Sequence, residues 1–197
     1  MQYVEERIKR LLQELETRIY PIKTPVSGIR MKKPREQYDP SVGINTTERE
    51  VCPPEPLWGG HREYFWFSME VDIPETFAGM PVEIEVRTGR EEPREKGEEW
   101  GWDALNPQFT AFVNGRIVQG LDINHRDILL TEQAKGGEHF TVVLSAFTGD
   151  QNPTLKLDCR LKARDVITEK YFYDLEVPYK ILRLLERDDK LYLDMVR

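Results

Sequence analysis

Apolar residues along this chain recur with three successive spacings. In the first segment Val4, Ile8, Leu11, Leu12, Leu15 and Ile19 fall three and four positions apart, with Glu, Lys and Arg between them. That spacing places one apolar stripe on an α-helix over residues 1–20, and Pro21 ends it because proline lacks the N–H and clashes with the preceding turn. A helix of this length is marginal alone, so its stripe must lie on another element. Residues 21–60 lose the period. Pro, Gly and charge dominate "PIKTPVSGIRMKKPREQYDPSVG", which predicts an extended arm with little regular structure.

Over residues 61–165 the period drops to two. In "REYFWFSMEVDIP" Phe65, Phe67, Met69, Val71 and Ile73 alternate with Tyr64, Trp66, Ser68, Glu70 and Asp72, the pattern of a half-buried strand. Val82, Ile84 and Val86 repeat it, as do Phe140, Val142, Leu144 and Ala146, and then Leu155, Leu157, Cys159 and Leu161. "PQFTAFVNGRIVQGLDI" reads as two strands about Asn114-Gly115, a dipeptide suited to the positive φ angles of a type I′ hairpin turn. Six or more strands without helices of crossover length predict a mainly β fold, an antiparallel sandwich of jelly-roll type. Residues 166–197 return to helical spacing through Tyr173, Val177, Ile181, Leu184 and Leu185, followed by a second short run. Pro178 stands where it could open that helix. The pattern stops at Arg197 in mid-course, so the segment is expected to be a helical linker toward further polypeptide.

Composition narrows the function classes. A chain of 197 residues holds one domain with appendages, and 32% charged residues give it a well-wetted exterior. The net charge of −7, with Lys and Arg interleaved with Glu, offers no basic face for a phosphate backbone and excludes nucleic acid as a partner. No apolar run approaches the ~20 residues of a membrane span, and the N-terminus lacks the apolar segment of a signal peptide. No membrane partner is expected, the expected compartment is the cytoplasm, and Cys52 and Cys159 are expected to be reduced. Two cysteines without CxxC spacing make no zinc site, and His61, His125 and His139 form no HxH or HExxH group. "REEPREKGEEW" lacks the Asp/Asn alternation and fixed glycine of a calcium loop and reads as a solvated loop.

Two sets of residues carry candidate chemistry. "GLDINHRDILL" gathers Asp122, Asn124, His125 and Arg126. A side-chain oxygen of Asp122 or Asn124 could cap a turn, with "RDILLTEQAK" continuing in helix-turn character. Alternatively, these residues form the rim of a ligand site at the end of the sandwich. No nucleophile or second acid lies alongside in sequence, so no catalytic residue is assigned. The indoles of Trp58, Trp100 and Trp102 fall in or near loops, where flat amphipathic rings can stack on sugars. The competing reading has loop indoles plugging the sandwich ends and Trp66 lying beneath the N-terminal helix.

Taken together, "LWGGHREYFWFSMEVDIPETFAGMPVEIEVRTG", "NPQFTAFVNGRIVQGLDINHRDILLTEQAKGGEHFTVVLSAFTG" and "YFYDLEVP" resemble the region that precedes the catalytic domain in bacterial or cytosolic α-mannosidases of glycoside hydrolase family 38. The resemblance runs from about Trp58 to the C-terminus, and the leading "RIKRLLQELETRIYP" fits it. It rests on the order W-G-G, F-W-F, N-P-Q-F, V-N-G and G-L-D-x-N-H-R, and departs at His61, where that family carries arginine. The resemblance implies a parent enzyme that hydrolyses α-mannosides with retention, using a carboxylate nucleophile and a zinc ion held by His and Asp. Those groups would belong to a catalytic domain after Arg197, since the H-x-H-x-D type of motif is not in this chain. The chain itself would then be a non-catalytic sandwich without a cofactor, and its partner the catalytic domain of the same polypeptide. An α-mannoside glycan and a second copy of the chain are further candidate partners. An independent carbohydrate-binding module is the alternative.

Overall fold

The computed structural model describes residues 2–33, 50–52, 57–90, 107–122, 124–150 and 154–195. They form two compact units, one of residues 1–22 with 163–197 and one of residues 23–162.

The larger unit contains strands β1 (Ile22–Pro25), β2 (Arg30–Lys32), β3 (Glu50–Val51), β4 (Leu57–Gly59), β5 (Tyr64–Asp72), β6 (Val82–Arg90), β7 (Gln108–Val113), β8 (Arg116–Leu121), β9 (Asp127–Thr131), β10 (His139–Phe147) and β11 (Thr154–Ala163). One sheet has the order β1-β11-β6-β9, with β4 also against β11; the other runs β3-β2-β5-β10-β7-β8. β10 is antiparallel to both β5 and β7, and β7 returns antiparallel as β8. Two packed antiparallel sheets, with a helix toward each end of the chain, are the fold that the periodicity predicts. Alternation does the local work. On β11 Leu155, Leu157, Cys159 and Leu161 are all buried, because successive side chains of a strand point to opposite faces. Asn114 at φ +49° and Gly115 at φ +76° make the β7–β8 turn, the left-handed pair that a type I′ hairpin requires.

Between the sheets, Trp58 of β4 meets Phe65, Phe67 and Phe109 of the facing layer at ring-centroid distances of 5.6, 5.5 and 5.4 Å, each pair nearer to perpendicular than parallel. Edge-to-face rings match the quadrupole of aromatic side chains and fill the gap between layers. Trp58 is 4% exposed. It is therefore a core residue, and its candidacy for sugar stacking is corrected here. Trp100 and Trp102 lie outside the described residues.

Three further expectations differ from the structure. Segment 21–60, expected to have little regular structure, supplies the short strands β1 to β4, because β2 pairs with β5 and β4 with β11 across sequence gaps that no local pattern reveals. β5 is buried on both faces rather than half-buried: Trp66 is fully covered and packs with Phe112 and Val143 on the side of the sheet opposite Phe65 and Phe67. "RDILLTEQAK" does not turn into a helix. Its first residues form β9, where Ile128 is buried and Glu85 and Asp127 sit opposite each other in the β6–β9 ladder.

The smaller unit holds α1 (Gln2–Ile19), α2 (Val166–Leu182) and α3 (Lys190–Met195). α1 packs along α2, the Asp165 N–H donates to the Ile19 carbonyl at 2.8 Å, and Tyr192 Oη donates to Glu5 Oε1 at 2.7 Å. Asp165 starts α2 by accepting the N–H groups of Ile167 and Thr168, both at 3.0 Å. The Thr168 N–H above all holds its carboxyl below the usual range. With that cap in place the helix begins at Val166, and Pro178 sits inside it rather than opening it. Proline there removes one helical hydrogen bond, a loss offset by packing along α1.

Candidate functional site

Strand β8 ends on the edge of one sheet and β9 begins on the edge of the other, so residues 122–126 carry the chain between layers. Asp122 organises this crossing. Its Oδ1 accepts from the backbone N–H of Asn124 at 2.8 Å and of His125 at 2.9 Å, and lies 3.0 Å from His125 Nδ1. Reciprocal backbone bonds join Asp122 and His125 at 3.1 and 3.2 Å, and the Arg126 carbonyl then accepts from Val86, handing the chain to β6. The bond from the Asn124 N–H above all, with those from His125, holds the Asp122 carboxyl below its ordinary range against the opposing effect of burial. Asn124, His125 and Arg126 are exposed at this corner. Asp122, Asn124 and His125 are thus brought together as a turn, and their short-range geometry is that of an aspartate cap.

Asp122 has a second face. It lines an open groove of about 420 Å³ along the sheet of β5, β7, β8 and β10. The register explains its composition: Phe147 stands beside Tyr64 on one side and Gln108 on the other, Ser145 lies opposite Thr110, and Thr110 opposite Gly120. These residues share one face of the sheet, the face opposite Phe109 and Leu144. Tyr64 and Phe147 are paired at a centroid distance of 4.8 Å and a tilt of 31°. Asn124, His125 and Arg126 are not part of the groove lining, whereas Gln108, Thr110, Ser145, Tyr64 and Phe147 are groove residues that sequence reasoning missed. The alternation placed Tyr64 on the outer face, but only the strand register brings it beside Phe147.

At the far end of the same face His139 is held between two carboxylates. Its Nδ1 lies 2.7 Å from Asp72 Oδ1 and its Nε2 3.0 Å from Glu70 Oε2, while Thr141 Oγ1 donates to the same Glu70 oxygen at 2.8 Å. The bond to Asp72 above all, with that to Glu70, raises the His139 pKa above its ordinary value against the opposing effect of desolvation. A raised folded-state pKa contributes stability that is full below the unfolded value and is lost as pH rises through the folded one. An NMR titration of the His139 ring is expected to give a midpoint above the model-peptide value of about 6.5. A midpoint at or below it would show that the bridge does not form in solution.

The described residues do not fit a zinc centre. His61 Nδ1 is engaged with the Asp150 carbonyl at 2.7 Å, His125 with Asp122, and His139 with Asp72 and Glu70, each at a separate place. Among the described residues no group of three or more His, Cys, Asp or Glu is placed to hold a metal ion. Cys159 is buried and its thiol is pushed well up by that burial, with the Asp158 charge adding to it, so it is no nucleophile. No described helix is long and apolar enough to cross a membrane.

No protein-family model and no curated protein matches the sequence. Among solved structures the chain is similar to a β-glucuronidase from Ruminococcus gnavus, with a TM-score of 0.49 and 11% identity over 74% of this chain and 28% of that one. It is also similar to the β-glucuronidase of that organism in complex with D-glucuronic acid, at TM-score 0.48 and 11% identity over 74% of this chain and 30% of that one. For the complex with uronic isofagomine the values are 0.46 and 12%, over 74% and 28%. These neighbours are glycoside hydrolases, and the chain spans less than a third of their length.

Proposed function

We propose that this chain is a non-catalytic β-sandwich module of a glycoside hydrolase, of the family 38 α-mannosidase type that its motifs resemble. In that role it braces the zinc-dependent catalytic domain of the same polypeptide, contributes to its oligomer and borders its sugar-binding cleft. The observation that carries this reading is where the motif residues go. Trp58 of W-G-G, Phe65 and Phe67 of F-W-F, and Phe109 of N-P-Q-F meet in one interlayer aromatic cluster. V-N-G supplies the β7–β8 hairpin turn and G-L-D-x-N-H-R the crossing between sheets. Residues spent on core and turns specify a scaffold; a self-sufficient active site would instead hold its polar groups around a substrate.

A second feature supports a module that works against a neighbour. α2 leaves Ile167, Tyr171, Val177 and Ile181 exposed on one side of the helix, with the Lys170–Asp174 ion pair among them. Two measurements test the proposal. The reading frame after Arg197 is expected to carry a histidine/aspartate zinc motif; a stop codon there would overturn the module reading. The purified chain, supplied with zinc and an aryl α-mannoside, is expected to show no turnover. Turnover that disappears in His125→Ala would replace the module with an enzyme.

A further inference from the structure

The groove beside the Asp122 turn has the composition of a small-ligand site, and we infer that it binds a neutral pyranose ring. The inference stands on the groove residues and not on the mannosidase reading. Its volume of about 420 Å³ falls within the range of ordinary ligand pockets, which is roughly 300–1,000 Å³, and is suited to a ligand of sugar size. Tyr64 and Phe147 supply an apolar aromatic surface on which the C–H face of a pyranose can lie. Around it stand Gln108, Thr110 and Ser145, whose amide and hydroxyl groups can donate and accept with ring hydroxyls.

Asp122 decides the charge of the ligand. Among the described residues it is the one carboxylate in the lining and no lysine, arginine or histidine lines the groove with it, His125 meeting its Oδ1 from outside; its turn keeps it ionised. Among the described residues every bond to its carboxylate falls on Oδ1. Oδ2 is the acceptor left for a ligand hydroxyl, and charge-assisted bonds of this kind are the strong ones. The same charge repels a carboxylate or phosphate on the sugar. A neutral hexose fits; a hexuronate does not.

Gly120 makes the site testable without touching the core. A Cβ added there meets only the Phe109 carbonyl oxygen, at 3.8 Å, and Gly120 is not among the glycines with positive φ, so a larger side chain is accommodated on β8 and projects along the groove. The experiment is an NMR titration of the full chain with the methyl pyranosides of glucose, mannose and galactose, and with glucuronate. At least one neutral methyl pyranoside is expected to give saturable shifts at the amides of Thr110, Gly120, Asp122 and Ser145, with a Kd on the order of millimolar. Tyr64→Ala and Gly120→Val are each expected to weaken it by about tenfold or more. Asp122→Asn, which keeps the Oδ1 acceptor of the turn, is expected to relax the rejection of glucuronate. The inference is overturned if no neutral pyranoside gives saturable shifts up to about 100 mM. Binding that survives both Tyr64→Ala and Gly120→Val, or glucuronate binding as tightly as the neutral sugars, overturns it equally. Each of these results leaves the reading frame and turnover tests of the module untouched, so the two ideas fail separately.

Discussion

Trp58→Ala is expected to destabilise the sandwich by about 3–5 kcal/mol, the usual cost of truncating a large aromatic in a packed core. Trp58 is the one contact of β4 that bridges the layers to three phenylalanines at once, and alanine there would leave a void between sheets that alternation alone cannot close. Single domains have only about 5–15 kcal/mol in total, so the variant should unfold at much lower urea than the parent chain. Trp58→Phe should cost distinctly less. It keeps an aromatic ring in the cluster and removes an indole N–H that is buried without a hydrogen-bond partner among the described residues. Equal losses for the two variants, or a loss below about 1 kcal/mol for alanine, would return Trp58 to the surface and to the sugar-stacking reading.

The second large effect lies in the same sheet as Trp58, where β11, β6 and β9 adjoin. Lys162→Met is expected to cost roughly 3 kcal/mol, because removing one partner of a buried ion pair leaves the other charge uncompensated. The Lys162 side chain is 4% exposed, with Nζ 2.7 Å from Asp127 Oδ1 and 3.9 Å from Glu83 Oε2, and Glu83 is itself almost fully buried. The Asp127 side chain is partly open to water, whereas that of Glu83 is almost closed off from it, so the loss of the lysine's charge weighs more on Glu83. Introducing Glu83→Leu into the Lys162→Met chain should therefore recover part of the loss, since a hydrophobic replacement of both partners removes the buried charge that the lysine offset. A double variant less stable than Lys162→Met alone would show that Glu83 is held by something other than the lysine.

Much of the scaffold was legible because its determinants are local. The stripe of Val4, Ile8, Leu12 and Ile19 is a helix wherever it finds a surface, and Leu155 to Leu161 can only present one face of a strand. Asn114-Gly115 needs no distant partner to prefer a left-handed turn. The candidate site was legible in one residue. Asp122 could be singled out because its partners Asn124 and His125 are two and three positions away. Tyr64 and Phe147 lie far apart in the chain, and no property of either predicts that β5 and β10 pair in the register that joins them.

The sequence by itself determined a β-sandwich framed by amphipathic helices, where its chain reverses, and which alternate residues enter the core, because period and turn chemistry act over a few residues. Tertiary structure alone decided that Trp58 points between the layers, that Trp66 is covered on the other face of its sheet, and that His139 lies between Glu70 and Asp72. It also decided that Asp122 borders a groove as well as capping a turn. Those outcomes depend on strand register and sheet stacking, which are set by the sum of contacts between distant segments and leave no mark on any single stretch of chain.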